Sequence, residues 1–170
     1  MRLFFALWPP PDTAKALAAW AHEVQQQAGG RATAEETIHL TLAFLGEADP
    51  AKAIAAARRV RGTRFDLPLD TSQYWKHNKI VWVGPRTPPP PLQSLAAQLH
   101  QALTEDAFTL EKRAFAAHIT LLRKASLPHS LPDLPPLCWP AHDFVLVRST
   151  SGGTGSRYEI VERFLLHTEQ

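Results

Sequence analysis

Cysteine is nearly absent from this chain of 170 residues: Cys138 is its only one. A single thiol excludes an internal disulfide and a cysteine-based zinc site, and it fits a reducing compartment. Glycine is scarce at 8 residues, and the one cluster, Gly152-Gly153-x-Gly155, is not followed by a helical pattern. That argues against a doubly wound nucleotide-binding sheet. Excess charge of one sign is also missing. The formal net charge is +2, so no basic tail announces nonspecific nucleic-acid binding, and any attraction for phosphate must be local. Long apolar runs are missing too. Leu3 to Trp8 is too short for a signal-peptide core and meets Pro9-Pro10-Pro11, and nothing approaches the ~20 residues that span a bilayer. The expectation is a cytoplasmic protein, monomeric and without a membrane partner.

What remains is ordinary for a globular domain: 45% hydrophobic and 20% charged residues, enough chain for one substantial core or two lobes sharing one. Within it a short pattern occurs twice, as His39-Leu40-Thr41-Leu42 and His118-Ile119-Thr120-Leu121. From the composition, chance predicts roughly 0.08 occurrences of His-x-Thr-Leu, and two together on the order of a few in a thousand. Side chains on a strand alternate between faces. Each copy therefore puts His and Thr on one face and two aliphatic residues on the other. Two such strands brought together present two imidazoles and two hydroxyls to one small anion.

The rest of the chain places these strands. Arg2 to Trp8 reads as a buried strand, followed by a helix from about Pro11 to Gln27, capped by Asp12 or Thr13 and ended by Gly29-Gly30. The first motif strand runs from His39 to Leu45 and closes at Gly46. A second helix has Asp49 as N-cap, Pro50 in its first turn and Gly62 past its end. Strands are expected at Arg64 to Thr71 and Lys79 to Val83, joined through a turn region at Trp75 to Asn78. Leu92, Leu95, Ala96, Leu99 and Leu103 form a helical stripe before the second motif strand, His118 to Leu122. The proline-rich Leu127 to Pro140 reads as an extended surface connection. Strands at Asp143 to Ser149 and Tyr158 to Leu166 follow, with Ser151 to Ser156 as a flexible hairpin tip. Antiparallel neighbours and short connections predict an α+β fold with the motif strands at the middle and helices outside.

The motifs extend to His39-Leu40-Thr41-Leu42-Ala43-Phe44 and His118-Ile119-Thr120-Leu121-Leu122-Arg123. In this form the chain resembles the two-histidine phosphoesterases, and within them the bacterial and archaeal RNA 2′,3′-cyclic phosphodiesterases first described as 2′-5′ RNA ligases. Their patterns are His-x-Thr-x-x-Phe and His-x-Thr-x-x-Arg. Arg2 to Leu7 and Phe115 to His118 also look like the family, whose members often carry proline where this chain has Ala117. The resemblance implies one bilobal domain over residues 1–170, with two antiparallel sheets related by a pseudo-twofold, helices on the outer faces, and one motif per lobe facing a central cleft. It further implies metal-independent hydrolysis, without cofactor, of an RNA-terminal 2′,3′-cyclic phosphate to a 2′-phosphate.

Opening a cyclic phosphodiester takes a proton from the attacking water and gives one to the departing ribose oxygen. An imidazole with a pKa near 6.5 can do either near neutrality. By similarity to the family His39 is the general acid and His118 the general base; the near-symmetric motifs alone leave the roles exchangeable. Thr41 and Thr120 can donate to non-bridging oxygens, and the fork of Arg123 can grip two of them. Phe44 can stack on the terminal base, though it equally suits a core position, as Arg123 suits a plain surface charge. Both lie five positions after their histidine, where strict alternation points away from it, so each strand must end, twist or bulge first.

Lys76, His77 and Lys79, or Arg58, Arg59, Arg61 and Arg64, could touch an RNA backbone or simply be solvated faces. Trp8, Trp20, Trp75, Trp82 and Trp139 are mostly core by pattern, and His22, His100, His129, His142 and His167 suggest no partner. The expected ligand is an RNA with a 2′,3′-cyclic phosphate end or a small cyclic nucleotide. Alternatives are 2′-5′ ligation by the reverse transesterification, with an RNA hydroxyl in place of water, and a noncatalytic nucleotide- or RNA-binding module. A metal site built on both histidines is disfavoured because neither motif contains a carboxylate.

Overall fold

A computed structural model describes residues 1–127, 130–152 and 155–168. Among the described residues, ten strands and three helices form an α+β fold in which every paired strand is antiparallel. The first sheet has the order β10-β9-β1-β3, built from β1 (Arg2–Leu7), β3 (Leu40–Glu47), β9 (Asp143–Gly152) and β10 (Gly155–Leu165). The second has the order β2-β7-β6-β5, built from β2 (Arg31–Ala32), β5 (Thr71–Trp75), β6 (Ile80–Gly84) and β7 (Ile119–Arg123). The first motif leads into β3 and the second into β7. Apart from the two-residue β2, each motif strand lies at the margin of its own sheet, and Cα atoms of the two strands approach within 8 Å. The motifs therefore meet at the middle of the molecule, as expected.

A third sheet, of two strands only, pairs β4 (Phe65–Leu69) with β8 (Leu137–Ala141). It corrects two expectations. The run from Arg64 to Thr71 is not one strand, because the chain crosses between sheets at Asp70. There the Asp70 carboxylate accepts from Arg86 N–H at 2.6 Å and its own N–H donates to the Gly84 carbonyl. The partner of β6 is therefore Thr71–Trp75. Leu127 to Pro140 is likewise not all loose connection, since its end forms β8; Pro140, opposite Asp66, is tolerated because a two-stranded sheet has only edges.

The helices begin where proline favours them. Helix α1 (Pro11–Ala28) has Pro11 at its first position and Pro10 as N-cap, so Asp12 sits inside the first turn, where its charge suits the dipole, rather than capping. Gly29, at φ 63° and ψ −149°, ends it in a conformation that glycine adopts far more readily than other residues. Helix α2 (Pro50–Ala57) has the expected cap, Asp49 accepting from Ala51 N–H at 3.1 Å. It stops well before Gly62, whose small size serves packing instead: a Cβ there would lie 2.9 Å from Leu166. Helix α3 (Pro90–Glu105) buries the predicted stripe of Leu92, Leu95, Ala96, Leu99 and Leu103.

One apolar core joins these elements. Helix α1 buries Leu17, Trp20, Ala21 and Val24 and packs on β2 and β7, while α2 and α3 pack together beside β10 and β3. The opposite face of the first sheet carries a separate cluster of Phe4, Ala6, Val145 and Val147, topped by Trp8 and Tyr158. Trp20 and Trp139 are core; Trp8, Trp75 and Trp82 are only half-buried. Among the described residues no helix is long and apolar enough to cross a membrane.

Candidate active site

Both motif strands contain the irregularity that their spacing requires, and at the same place. In β3 the pairing with β1 steps from Thr41 opposite Ala6 to Ala43 opposite Phe5, leaving Leu42 as an extra residue. In β7 the pairing with β6 steps from Thr120 opposite Trp82 to Leu122 opposite Val81, leaving Leu121 extra. A bulge slips the alternation by one. Beyond it, Phe44 and Arg123 rejoin the face that carries Thr41 and Thr120, and Leu42 and Leu121 are buried beneath. Gly46 does not close β3, contrary to the expectation from sequence; at φ 69° it lies in a second step, where Leu45 is the extra residue.

A cleft of about 770 Å³ is lined from both four-stranded sheets, by Thr41, Phe44, Thr120 and Arg123, and by His118 just before β7. His39 adjoins it behind Thr41, whose Oγ1 lies 3.0 Å from His39 Nε2. Each histidine immediately precedes its strand, and each is held in the same way. His39 Nδ1 is 2.6 Å from the Thr37 carbonyl and His118 Nδ1 is 2.8 Å from the Ala116 carbonyl, two residues upstream in both cases. A carbonyl only accepts, so each Nδ1 carries the proton and each Nε2 is the nitrogen available to a ligand. In the neutral ring, the Thr41 hydroxyl donates to His39 Nε2.

The surroundings of the two rings differ. His39 stacks on Trp8, with centroids 5.2 Å apart and planes at 7°, and Phe4 and Tyr158 enclose it further. This burial pushes its pKa below the usual histidine value. The Thr37 carbonyl works against that shift, and the positive charges of Arg123 and His118 add to it. His118 packs against Trp75 at 4.9 Å and meets the edge of Trp82 at 6.1 Å. Trp82 Nε1 is buried without a hydrogen-bond partner among the described residues. The apolar pattern marks Trp8, Trp75 and Trp82 as core; they are instead the settings of the two imidazoles. Tyr158 carries no signal in the sequence, because no short-range pattern ties a residue in β10 to a histidine before β3.

Phe44 is 43% exposed, with the Arg2 guanidinium 5.6 Å from its ring centroid, and Arg123 is exposed at the end of β7. Of the weaker candidates, Arg58 and Arg59 are engaged elsewhere, with Glu162 and with Glu105 and Asp106. Lys76, His77 and Lys79 lie in the β5–β6 turn, from which Asn78 reaches the cleft wall. His100 lines the cleft from α3, and His129 falls outside the described residues. Among the described residues no group of three His, Cys, Asp or Glu side chains could hold a metal ion.

Known proteins share both sequence and fold with this chain. The family model for LigT-like phosphoesterases matches residues 7–82. The RNA 2′,3′-cyclic phosphodiesterase of Escherichia coli K12 is 35% identical, covering 97% of this chain and 96% of that protein. The protein of the same description from Thermus thermophilus is 31% identical over 99% and 92%. The crystal structure of Escherichia coli LigT complexed with 3′-AMP superposes with a TM-score of 0.90 at 33% identity, covering 97% of each chain. The structure of the same protein complexed with phosphate gives a TM-score of 0.84.

Proposed function

Because this chain belongs to the LigT-like phosphoesterase family, we propose that it is an RNA 2′,3′-cyclic phosphodiesterase, acting as one two-lobed unit over residues 1–170. It hydrolyses an RNA-terminal 2′,3′-cyclic phosphate to a 2′-phosphate. One observation carries the reading: of two imidazoles, each anchored through Nδ1 to a carbonyl two residues upstream, one lines a cleft that also presents two threonine hydroxyls and an arginine, and the other lies directly behind the cleft's Thr41 hydroxyl.

The cyclic phosphate sits with its non-bridging oxygens against the Thr120 and Thr41 hydroxyls and the Arg123 fork. These donors stabilise the charge that grows on the phosphoryl oxygens as the transition state forms. His118, half-buried and open to the cleft, takes a proton from water through Nε2 as the water oxygen bonds to phosphorus. The bond from phosphorus to O3′ breaks on the opposite side, and His39 delivers the proton that O3′ needs. The phosphate stays on O2′. Phe44 holds the terminal base by stacking on the ring face turned away from Arg2.

Burial lowers the pKa of His39 and so favours its neutral form. An arriving anion offsets the positive charge of Arg123 and favours the imidazolium. Substrate binding therefore brings in the proton that the leaving oxygen later receives.

The test is an RNA oligonucleotide ending in a 2′,3′-cyclic phosphate, incubated with and without an acceptor strand bearing a free hydroxyl. The expected product is the 2′-phosphate, and His39→Ala or His118→Ala should each slow its formation by about 10²- to 10⁴-fold. A 3′-phosphate product, a joined strand as the main product, or activity retained by both variants would overturn the proposal.

A further inference from the structure

The cleft is longer than the chemistry needs. The reacting phosphate occupies the stretch between the two threonines and Arg123. The cleft, at about 770 Å³, continues between α3 and the segment Leu110–Ala116, and its size lies in the upper part of the ~300–1,000 Å³ range typical of small-ligand clefts. One wall of this arm is a single face of α3, where Gln93, Ala97 and His100 follow each other at helical spacing. The opposite wall carries Glu111, Lys112 and Arg113.

The charge on that wall is not balanced. Arg113 pairs with Glu111 at 2.9 Å, which leaves the Lys112 ammonium as its surplus positive charge. The segment is also anchored at its base. After α3, Ala107 turns at φ 66° and Phe108 N–H donates to the Leu103 carbonyl at 3.0 Å. Arg59, just past α2, donates to the Asp106 carboxylate at 2.8 Å and to the Ala102 carbonyl at 3.0 Å. The base of the segment is thus held in place, and the cations line the same cleft as His118 and Arg123.

A ribose that carries a 2′,3′-cyclic phosphate has one further hydroxyl that can bear an anion, O5′. At an RNA end O5′ carries the phosphodiester to the preceding nucleotide; in a free nucleoside cyclic phosphate it is an uncharged hydroxyl. We infer that the α3 arm is a subsite for the nucleotide preceding the cyclic end. Lys112 and Arg113 contact the phosphodiester at O5′, and the small Ala97 side chain leaves room for the preceding base against α3. This rests on the phosphodiesterase reading of the site and narrows its substrate class: an RNA end of at least two nucleotides, in preference to a cyclic mononucleotide.

Three probes separate the contributions: adenosine 2′,3′-cyclic phosphate, its 5′-phosphorylated form, and the adenylyl dinucleotide ending in a 2′,3′-cyclic phosphate. The expected kcat/KM rises about tenfold from the first to the second, as one screened phosphate contact would give, and rises again for the dinucleotide. Lys112→Ala should bring the ratio of second to first toward one. Glu111→Gln should raise it, by freeing the Arg113 guanidinium and removing a repelling carboxylate. A general defect in folding would not move the ratio in opposite directions. Equal kcat/KM for all three probes, or a ratio that neither substitution changes, would overturn the subsite alone. Failure of the wild-type protein to hydrolyse any of them would overturn the phosphodiesterase reading together with it.

Discussion

Gly84 ends β6 where that strand passes the residue before His118, and its missing side chain sets how close the two backbones come. A Cβ added there would lie 2.6 Å from the Ala117 carbonyl oxygen, against 3.4 Å for ordinary contact, so Gly84→Ala forces a retreat of about 0.8 Å in rigid backbone. Ala117 joins His118 to its anchoring Ala116 carbonyl, so the retreat is passed to the imidazole. Misplacement by 1 Å costs up to about 10²-fold in rate, and we expect kcat/KM on a cyclic-phosphate RNA to fall about 10- to 100-fold. Overpacking costs about 1–3 kcal/mol, which lowers Tm by roughly 2–12 °C for a domain of this size, leaving the enzyme folded at 25 °C. Gly29→Ala is the matched control. A Cβ there meets nothing within 4 Å, but φ is 63° and ψ −149°, so the substitution adds backbone strain of about 1–3 kcal/mol at a position outside the cleft lining. Its Tm should drop while kcat/KM stays at the wild-type value. Full activity in folded Gly84→Ala, or an equal loss of activity in Gly29→Ala, would refute the reasoning.

Arg123→Lys keeps the charge but loses the planar fork, and should lower kcat/KM about tenfold; a change under twofold would show that Arg123 acts only as a point charge. For His39 the folded pKa lies below the value of 6.5 that the unfolded chain approximates. The unfolded state therefore binds more protons as pH falls through about 6.5, and stability present above that pH is progressively lost below it. Urea titrations at pH 7.5 and 5.5 should show a smaller loss for His39→Gln than for wild type; an equal or larger loss would contradict the assigned direction. Hydrolysis should persist after exhaustive treatment with a chelator, and a loss restored by one added metal would show that the histidines act as ligands.

The duplicated hexapeptides made the centre of the site legible, because His, Thr, Phe and Arg announce their chemistry by residue type and the five-residue offset demands a bulge. Other parts carried no such signal. The carbonyls of Thr37 and Ala116, which fix both imidazoles, are backbone atoms that any residue at those positions would supply. Trp8, Trp75 and Tyr158 reach the histidines through sheet pairing or stacking across distant segments, so an apolar pattern could say only that they were partly covered. The crossing at Asp70 escaped for a related reason: alternation over Arg64 to Thr71 is the same whether one sheet or two receive it.

The extra leucines at 42 and 121 make each strand unusually intolerant of one kind of mutation. Adding a single codon just beyond either one would set six residues between histidine and the end of the motif across one bulge, turn the aromatic or guanidinium terminus away from the cleft, and leave every functional side chain still encoded. Conservative replacement of the same leucine would change only packing. Loss of function in this architecture can thus arise from a shift in reading of the pleat, with no reactive group missing from the sequence.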